Sequence, residues 1–150
     1  MTTSIAAAIV AMTAALLPLS PAHAAYGPDQ PVYLQLVSND GNATQLALLE
    51  GTVAFDDGNT KYRYSLRLCW QHAYPSPYYS TYVNGSYFSG PVTGSSSASG
   101  CQSVSYSSGE VNYGGIVRNI RFDVTGGWFG SNGQYQMRTK STATYDNPYN

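Results

Sequence analysis

The sequence predicts an all-β protein, an antiparallel β-sandwich or a small β-barrel of about seven strands with one disulfide bond. Short runs of alternating apolar and polar residues recur along the chain, and clusters of Gly, Asn, Asp, Ser and Pro separate them. Beyond residue 24, no stretch has the apolar spacing of an amphipathic helix. Strands without helices bury their apolar faces by packing sheet on sheet or by closing into a barrel.

The first 24 residues have the pattern of a secretory signal peptide, with the alanine-rich composition typical of bacterial ones. Their apolar run, residues 5–17, is too short to span a bilayer, and Ala22-His23-Ala24 has the form of a cleavage site. We therefore expect cleavage after Ala24, secretion, and a single mature domain over residues 25–150. Residues 1–4 contain no Lys or Arg, so a retained membrane anchor is the competing interpretation.

The expected mature chain is nearly neutral. It contains all 7 basic and 8 acidic residues, which gives a net charge of −1. Nucleic acids and anionic membranes select basic surfaces, so we expect neither as a partner. Its 14 tyrosines, together with many Ser, Asn and Gly residues, indicate a hydrogen-bonding exterior. Such a surface favours an extracellular glycan or protein.

The first strand and the central hairpin are the elements that the sequence predicts most clearly, because turn residues bound each of them. Residues 32–38 form a strand whose more apolar set is Val32, Leu34 and Leu36. Residues 45–55 and 60–70 form a hairpin around the sequence Asp-Asp-Gly-Asn, because Asp and Gly tolerate the positive φ of a tight turn. The expected register sets Phe55 opposite Thr60. A slip by one residue would set Lys61 opposite Phe55, so the alternation specifies the faces.

The hairpin has one apolar and one more polar face. The apolar face comprises Ala47, Leu49, Val53, Phe55, Tyr62, Tyr64, Leu66, Leu68 and Trp70. The polar face comprises Leu46, Leu48, Glu50, Thr52, Ala54, Lys61, Arg63, Ser65, Arg67 and Cys69. The apolar face is therefore expected to line the core.

The remaining strands lie in the C-terminal third. A weak hairpin is expected over 102–107 and 110–113, and a strong strand over 116–125, with Ile116 and Arg118 on its inward face. Residues 126–133 form a glycine-rich loop, and residues 134–144 form the last strand. Its inward residues are expected to be Tyr135, Met137 and Thr139.

The two cysteines, Cys69 and Cys101, are expected to form a disulfide. Export sends the chain to an oxidising compartment, where disulfides persist. Closing the intervening loop stabilises the fold by about 3 to 4 kcal/mol on the chain-entropy model. Because Cys69 falls on the polar face of the hairpin, this bond would hold residues 72–100 over that face, beside Leu46, Leu48 and Arg67.

No residue pattern predicts catalysis. His72 is the one histidine after residue 24, and no Ser–His–acid, zinc-protease or phosphate-loop motif surrounds it. Asp56 and Asp57 have a sufficient role in their turn, and Glu50 lies among arginines on the polar face. The Asp-rich turns do not match a calcium loop. We expect no enzyme activity, no metal and no cofactor.

The functional signal is aromatic. Residues 72–100 form a segment rich in Tyr, Ser, Gly and Pro, and a segment of this length in a small domain is usually functional or disordered. Tyrosine presents a large rigid face at low entropic cost. The predicted contact residues of this segment are Tyr74, Tyr78, Tyr79, Tyr82, Tyr87 and Phe88. A second pair, Trp128 and Phe129, is either a contact site or a plug over the end of the sandwich.

These observations favour a secreted, non-catalytic binding domain that recognises an extracellular glycan or protein. One alternative is an inhibitor that presents its tethered loop to a secreted hydrolase. Another is a structural protein of the cell envelope or spore surface. The competing interpretation of the aromatic segment is a lid that packs on Leu46 and Leu48, and the two interpretations predict opposite exposures for its rings.

Overall fold

The computed structural model of the chain describes residues 25–41, 43–70, 76–93, 96–98 and 101–150. These residues form ten strands. The strands are β1 (Gln30–Val37), β2 (Gln45–Phe55), β3 (Lys61–Trp70), β4 (Tyr78–Val83), β5 (Ser86–Val92), β6 (Ser96–Ala98), β7 (Cys101–Asn112), β8 (Asn119–Phe129), β9 (Tyr135–Ser141) and β10 (Tyr145–Asp146). Over the described ranges, no helix has the length and apolar character needed to cross a membrane.

The strands form two antiparallel sheets. In the first sheet the order is β1-β2-β3-β7-β6, and in the second it is β10-β8-β4-β5, with β9 also paired to β8. Strands β9 and β10 follow one another along the same edge of β8, because β4 occupies its other edge. The sheets pack face to face as a sandwich, which confirms the predicted fold class. The described residues form ten strands rather than about seven.

One apolar core lies between the sheets. Its buried residues come from β1, β2 and β3 on one side and from β4, β8 and β10 on the other. Val32, Leu34 and Leu36 point inward from β1 as predicted. A ring contact joins the two sheets, with Tyr62 of β3 packed edge-on against Phe88 of β5 at 6.4 Å between centroids, and within the second sheet Phe122 packs edge-on against Tyr79 at 6.1 Å. Burial of the two facing apolar surfaces is the main stabilising contribution.

The central hairpin has the predicted faces but a register shifted by two residues. Phe55 lies opposite Tyr62 instead of Thr60. The reason is Asp56, whose buried carboxylate accepts hydrogen bonds from the backbone amides of Thr60 and Lys61 at 2.9 and 2.6 Å and so enlarges the loop. A shift of two residues leaves each side chain on its original face, because side chains alternate with period two.

Leu46 departs from its predicted place on the polar face. Leu36 pairs with Ala47 and Val37 pairs with Gln45, so Leu46 is the extra residue of a β-bulge. A bulge turns one side chain relative to the regular alternation. Leu46 consequently lies in the core between the sheets.

Three predictions for the C-terminal half are wrong. The weak hairpin over 102–113 is one continuous strand, β7, because it pairs along its length with β3 and Gly109 stays in that ladder opposite Tyr64. The strand predicted over 116–125 starts at Asn119 and continues to Phe129, through the first half of the predicted glycine-rich loop, so that Ile116 and Arg118 are exposed and Val117 is buried in the core.

The third error concerns β9, whose faces are the reverse of those predicted. Tyr135 and Met137 are exposed on the outer face, and the inward positions hold Arg138 and Lys140. Arg138 Nη1 donates to the carbonyl of Val37 at 3.1 Å, and Lys140 Nζ donates to that of Gln35 at 3.3 Å. Inward-pointing charges on an edge strand satisfy the unpaired backbone of the neighbouring edge and discourage further strand pairing.

Residues 78–92, which belong to the predicted insert, form part of the sandwich itself. Strand β4 is hydrogen-bonded between β5 and β8, so this part does not lie over the polar face of the first sheet as expected. The physical reason is its alternation, since Tyr79, Thr81 and Val83 are buried in turn. Asn84 and Gly85, both with positive φ, make the tight turn to β5.

The disulfide Cys69–Cys101 is present, as predicted, with a Cα–Cα separation of 5.5 Å. Cys69 lies outside the main core, in a separate small cluster with Val104 and the partly buried Leu48. This position agrees with the predicted polar face of β3. The bond therefore ties the outer side of β3 to the beginning of β7.

Candidate functional site

The predicted contact residues divide into four groups. Tyr74 lies outside the described residues. Tyr79 and Trp128 are buried in the core, so neither presents a contact surface. Phe88 lies at the side of the sandwich, where its ring contacts Tyr113 at a centroid distance of 5.4 Å. The remaining four share the outer face of the second sheet, which is the candidate site. They are Tyr78, Tyr82, Tyr87 and Phe129.

One end of this face carries two tyrosine rings and an arginine that pack against one another. Tyr87 lies directly opposite Tyr82, which lies opposite Arg121 on β8. The two tyrosine rings meet edge to face at 5.8 Å, and the Arg121 guanidinium lies over the Tyr82 ring at 4.6 Å. Arg121 also donates to both carboxylate oxygens of Asp123, at 2.9 and 3.3 Å. The cation–π and ionic contacts hold Tyr82 in place and cancel the local charge.

The other end carries the β8–β9 patch, which we define as Phe129, Tyr135 and Met137. Phe129 lies opposite Tyr135 and their rings are 5.6 Å apart, while Met137 lies opposite Gly127. The three side chains are 52, 44 and 56 % exposed. The ring of Tyr135 leans over Gly127, where any Cβ atom would collide with it. Because Gly127 has no side chain, the Tyr135 ring can pack directly on the sheet.

Short polar side chains form the floor between the two ends. Ser80 lies opposite Asp123, which lies opposite Ser141. One row further, Thr125 and Thr139 hydrogen-bond through their hydroxyl groups at 2.7 Å. On β8 and β9 the floor is therefore low and already hydrogen-bonded, whereas on β4 Tyr78 lies opposite Thr125 in the same row.

Sequence reasoning missed Tyr135, Met137 and Arg121. The sequence predicts Tyr135 inward, because it alternates with the polar residues Gln136, Arg138 and Lys140. A usable signal did exist in the short turn of residues 130–133, since it requires Tyr135 to pair with Phe129 and to share its face. This register places both rings on the outer face.

The chemistry open to this face is contact and hydrogen bonding. In the described part of the chain, no group of three or more His, Cys, Asp or Glu side chains is placed to hold a metal ion. His72 lies outside the described residues. In the core behind the face, burial raises the pKa of Tyr79, although a hydrogen bond with Ser107 acts in the opposite direction, so the phenol is neutral at physiological pH.

A groove of about 440 Å³ opens at the side of the sandwich, between β1 and residues 140–143. Tyr33 and Gln35 line one wall and Lys140 lies on the other. The Lys140 ammonium already donates to the Gln35 carbonyl, so the groove offers little charge to a ligand. It is a seam between the edges of the two sheets.

Comparisons of the chain with protein-family models, with curated proteins and with solved structures found no match.

Proposed function

We propose that the protein is an exported, non-catalytic binding domain whose partner is an extracellular protein that docks on the outer face of the second sheet. The observation that carries this proposal is the β8–β9 patch, in which phenyl, phenol and thioether groups are exposed side by side on paired strands. Aromatic residues, Met and Arg are the types enriched where proteins meet, and exposed apolar clusters mark such sites.

The rest of the face supports the same conclusion. The patch lies on regular strands, so its side chains are held before binding and lose little entropy when a partner docks. Tyr82, Tyr87 and Arg121 add a polar and aromatic margin, and the ion pair of Arg121 with Asp123 leaves no net charge there. The thioether of Met137 and the phenyl ring of Phe129 favour a protein partner, because a polar glycan gains little from contact with Met137. The disulfide supports an oxidising compartment outside the cell.

The proposal is tested with a charge placed in the patch. Immobilised protein of residues 25–150 captures partners from the medium of the producing cells, in its natural form and as Met137→Glu and Ile116→Glu. Ile116 is 55 % exposed, like Met137, but lies in the connection before β8. We expect Met137→Glu to weaken binding of the captured, purified partner at least tenfold, since an unpaired carboxylate would be desolvated. Ile116→Glu is expected to bind normally.

Two outcomes would contradict the proposal. Equal affinity of the partner for the natural protein and for Met137→Glu would show that the patch is not the contact. A dimer in light scattering that Met137→Glu dissociates would show that the patch is covered by a second copy of the chain instead.

A further inference from the structure

The outer face of the first sheet carries a row of four residues, one on each of four neighbouring strands. Tyr33 lies opposite Glu50, Glu50 opposite Arg67, and Arg67 opposite Tyr106. Tyr33 and Tyr106, at the two ends, are 63 and 69 % exposed, the largest values among the exposed large hydrophobic side chains of the described residues. Three strand spacings separate them, about 14 Å. The row thus presents two aromatic rings with an ion pair between them.

The middle of the row is firmly held. Arg67 forms an ion pair with Glu50 through Nη1, and its Nη2 lies 2.9 Å from the sulfur of Cys101. Hydrogen bonds to Glu50 and then to the Tyr106 hydroxyl raise the pKa of Arg67, so the guanidinium is charged throughout the physiological range. The disulfide next to this row anchors it to β7. Side chains fixed before binding lose little entropy when a ligand arrives.

A trough runs beside this row, across the strands. Its floor is the next row along, which has only short side chains: Pro31, Thr52, Ser65 and Ser108. Its far side is formed by Arg63 and Glu110, which lie opposite each other on β3 and β7. The floor offers hydroxyl groups, and the walls offer charged hydrogen-bonding groups and aromatic rings.

The charges of this face cancel within it. Arg67 pairs with Glu50, Arg63 Nη2 lies 3.0 Å from Asp29, and Lys61 Nζ lies 3.2 Å from Glu110. Three cations and three anions leave a net charge of zero. A polyanion or a polycation would find as much repulsion as attraction there, which selects an uncharged ligand.

The apolar surface of this face also differs from that of the other sheet. Tyr33 and Tyr106 supply its exposed large apolar area, without the exposed Phe and Met of the β8–β9 patch. A protein interface needs an apolar centre, whereas a sugar ring needs a flat aromatic face and nearby hydrogen-bonding groups. We propose that this trough binds a neutral polysaccharide chain, with sugar rings stacked on Tyr33 and Tyr106 and hydroxyl groups bonded to Glu50 and Arg67. This site is independent of the protein-docking face on the opposite side of the sandwich.

The test measures retention of the soluble protein, residues 25–150, on insoluble microcrystalline cellulose, chitin and granular starch. We expect retention on at least one of the three, unchanged by 0.5 M NaCl because no net charge is involved. Replacing both rings, Tyr33→Ala with Tyr106→Ala, is expected to weaken binding at least tenfold. Tyr33→Phe keeps the ring and is expected to stay within about twofold. Ile116→Ala, an exposed apolar change outside both faces, serves as the control.

Three results would overturn this inference. They are no retention on any of the three polysaccharides, equal retention of the double alanine variant, or retention that salt abolishes. Because Tyr33 and Tyr106 are exposed, both variants are expected to unfold at the same urea concentration as the natural protein, which separates lost binding from lost folding. Met137→Glu leaves this face intact, so a failure here does not bear on the protein-docking face.

Discussion

Asn147 donates a hydrogen bond from Nδ2 to Oδ1 of Asn59, at 3.0 Å, although the two residues are 88 positions apart. The same amide also donates to the carbonyl of Val117 at 2.8 Å, and the Asn59 carbonyl accepts from the amide of Val117 at 2.7 Å. Asn59 has φ of 59°, a left-handed conformation that asparagine tolerates. One buried side chain thus joins the β2–β3 turn, the connection before β8 and the C-terminal tail, and closes this end of the sandwich.

Asn147→Ala is expected to lower the free energy of unfolding by about 2 to 3 kcal/mol, because the buried Asn147 side chain loses its hydrogen bonds to the oxygens of Asn59 and Val117. Urea unfolding followed by tryptophan fluorescence measures the change. Asn39→Ala, in an exposed turn, is the control and is expected to stay within about 0.5 kcal/mol. Equal unfolding free energies of the two variants would show that the hydrogen bonds of Asn147 do not stabilise this end of the sandwich.

Gly51 is required by the pairing of β2 with β3. Its φ is +147°, and a Cβ atom there would collide with the backbone oxygen of Ser65. Gly51→Ala is expected to cost at least about 3 kcal/mol, from backbone strain and displacement of β3 together. Gly114 has φ of +74° with no atom near its missing Cβ, so Gly114→Ala reports strain alone, about 1 to 2 kcal/mol. Similar urea midpoints for the two variants would contradict the proposed collision.

The faces of the central hairpin followed from the sequence, but its register did not. Alternation distinguishes slips by odd numbers of residues and is blind to a slip of two, which leaves Phe55 and Tyr62 on the same side. The register is set by the Asp56 carboxylate, because its hydrogen bonds to the backbone amides of Thr60 and Lys61 enlarge the loop. Turn composition alone carries no information on such a bond.

The candidate site was predictable only in part, because polarity alone does not determine the face of an edge strand on which a residue lies. Arg138 and Lys140 are exposed, as their polarity indicates, but their side chains extend towards β1 and donate to the carbonyls of Val37 and Gln35, which turns Tyr135 and Met137 to the outer face. No local pattern reveals that two edge strands of different sheets meet. Tyr79 lies among Ser, Tyr and Pro residues, a composition that predicts a loop, yet it is buried in the core.

Stability is expected to fall above about pH 10. Burial raises the pKa of Tyr62, Tyr79 and Tyr145 in the folded protein, whereas tyrosines of the unfolded chain ionise near pH 10. The contribution of each is therefore complete below about pH 10 and is lost as the pH rises towards the folded pKa. Tyr79→Phe removes one ionisable hydroxyl group. Above about pH 10 it should therefore reduce the slope of the unfolding free energy against pH by about 1.4 kcal/mol per pH unit. Urea unfolding between pH 8 and 11 measures both slopes, and identical slopes would contradict the assignment.

Replacing both cysteines, Cys69→Ala with Cys101→Ala, is expected to lower the free energy of unfolding by about 3 to 4 kcal/mol. The bond spans a sequence separation of 32 residues, so its loss restores chain entropy to the unfolded state, and the small cluster with Val104 also loses contacts. Urea unfolding with and without dithiothreitol measures the change. The reductant should lower the urea midpoint of the natural protein towards that of the double variant and leave the variant itself unaffected. A variant that the reductant still destabilised would show that the effect does not come from this bond.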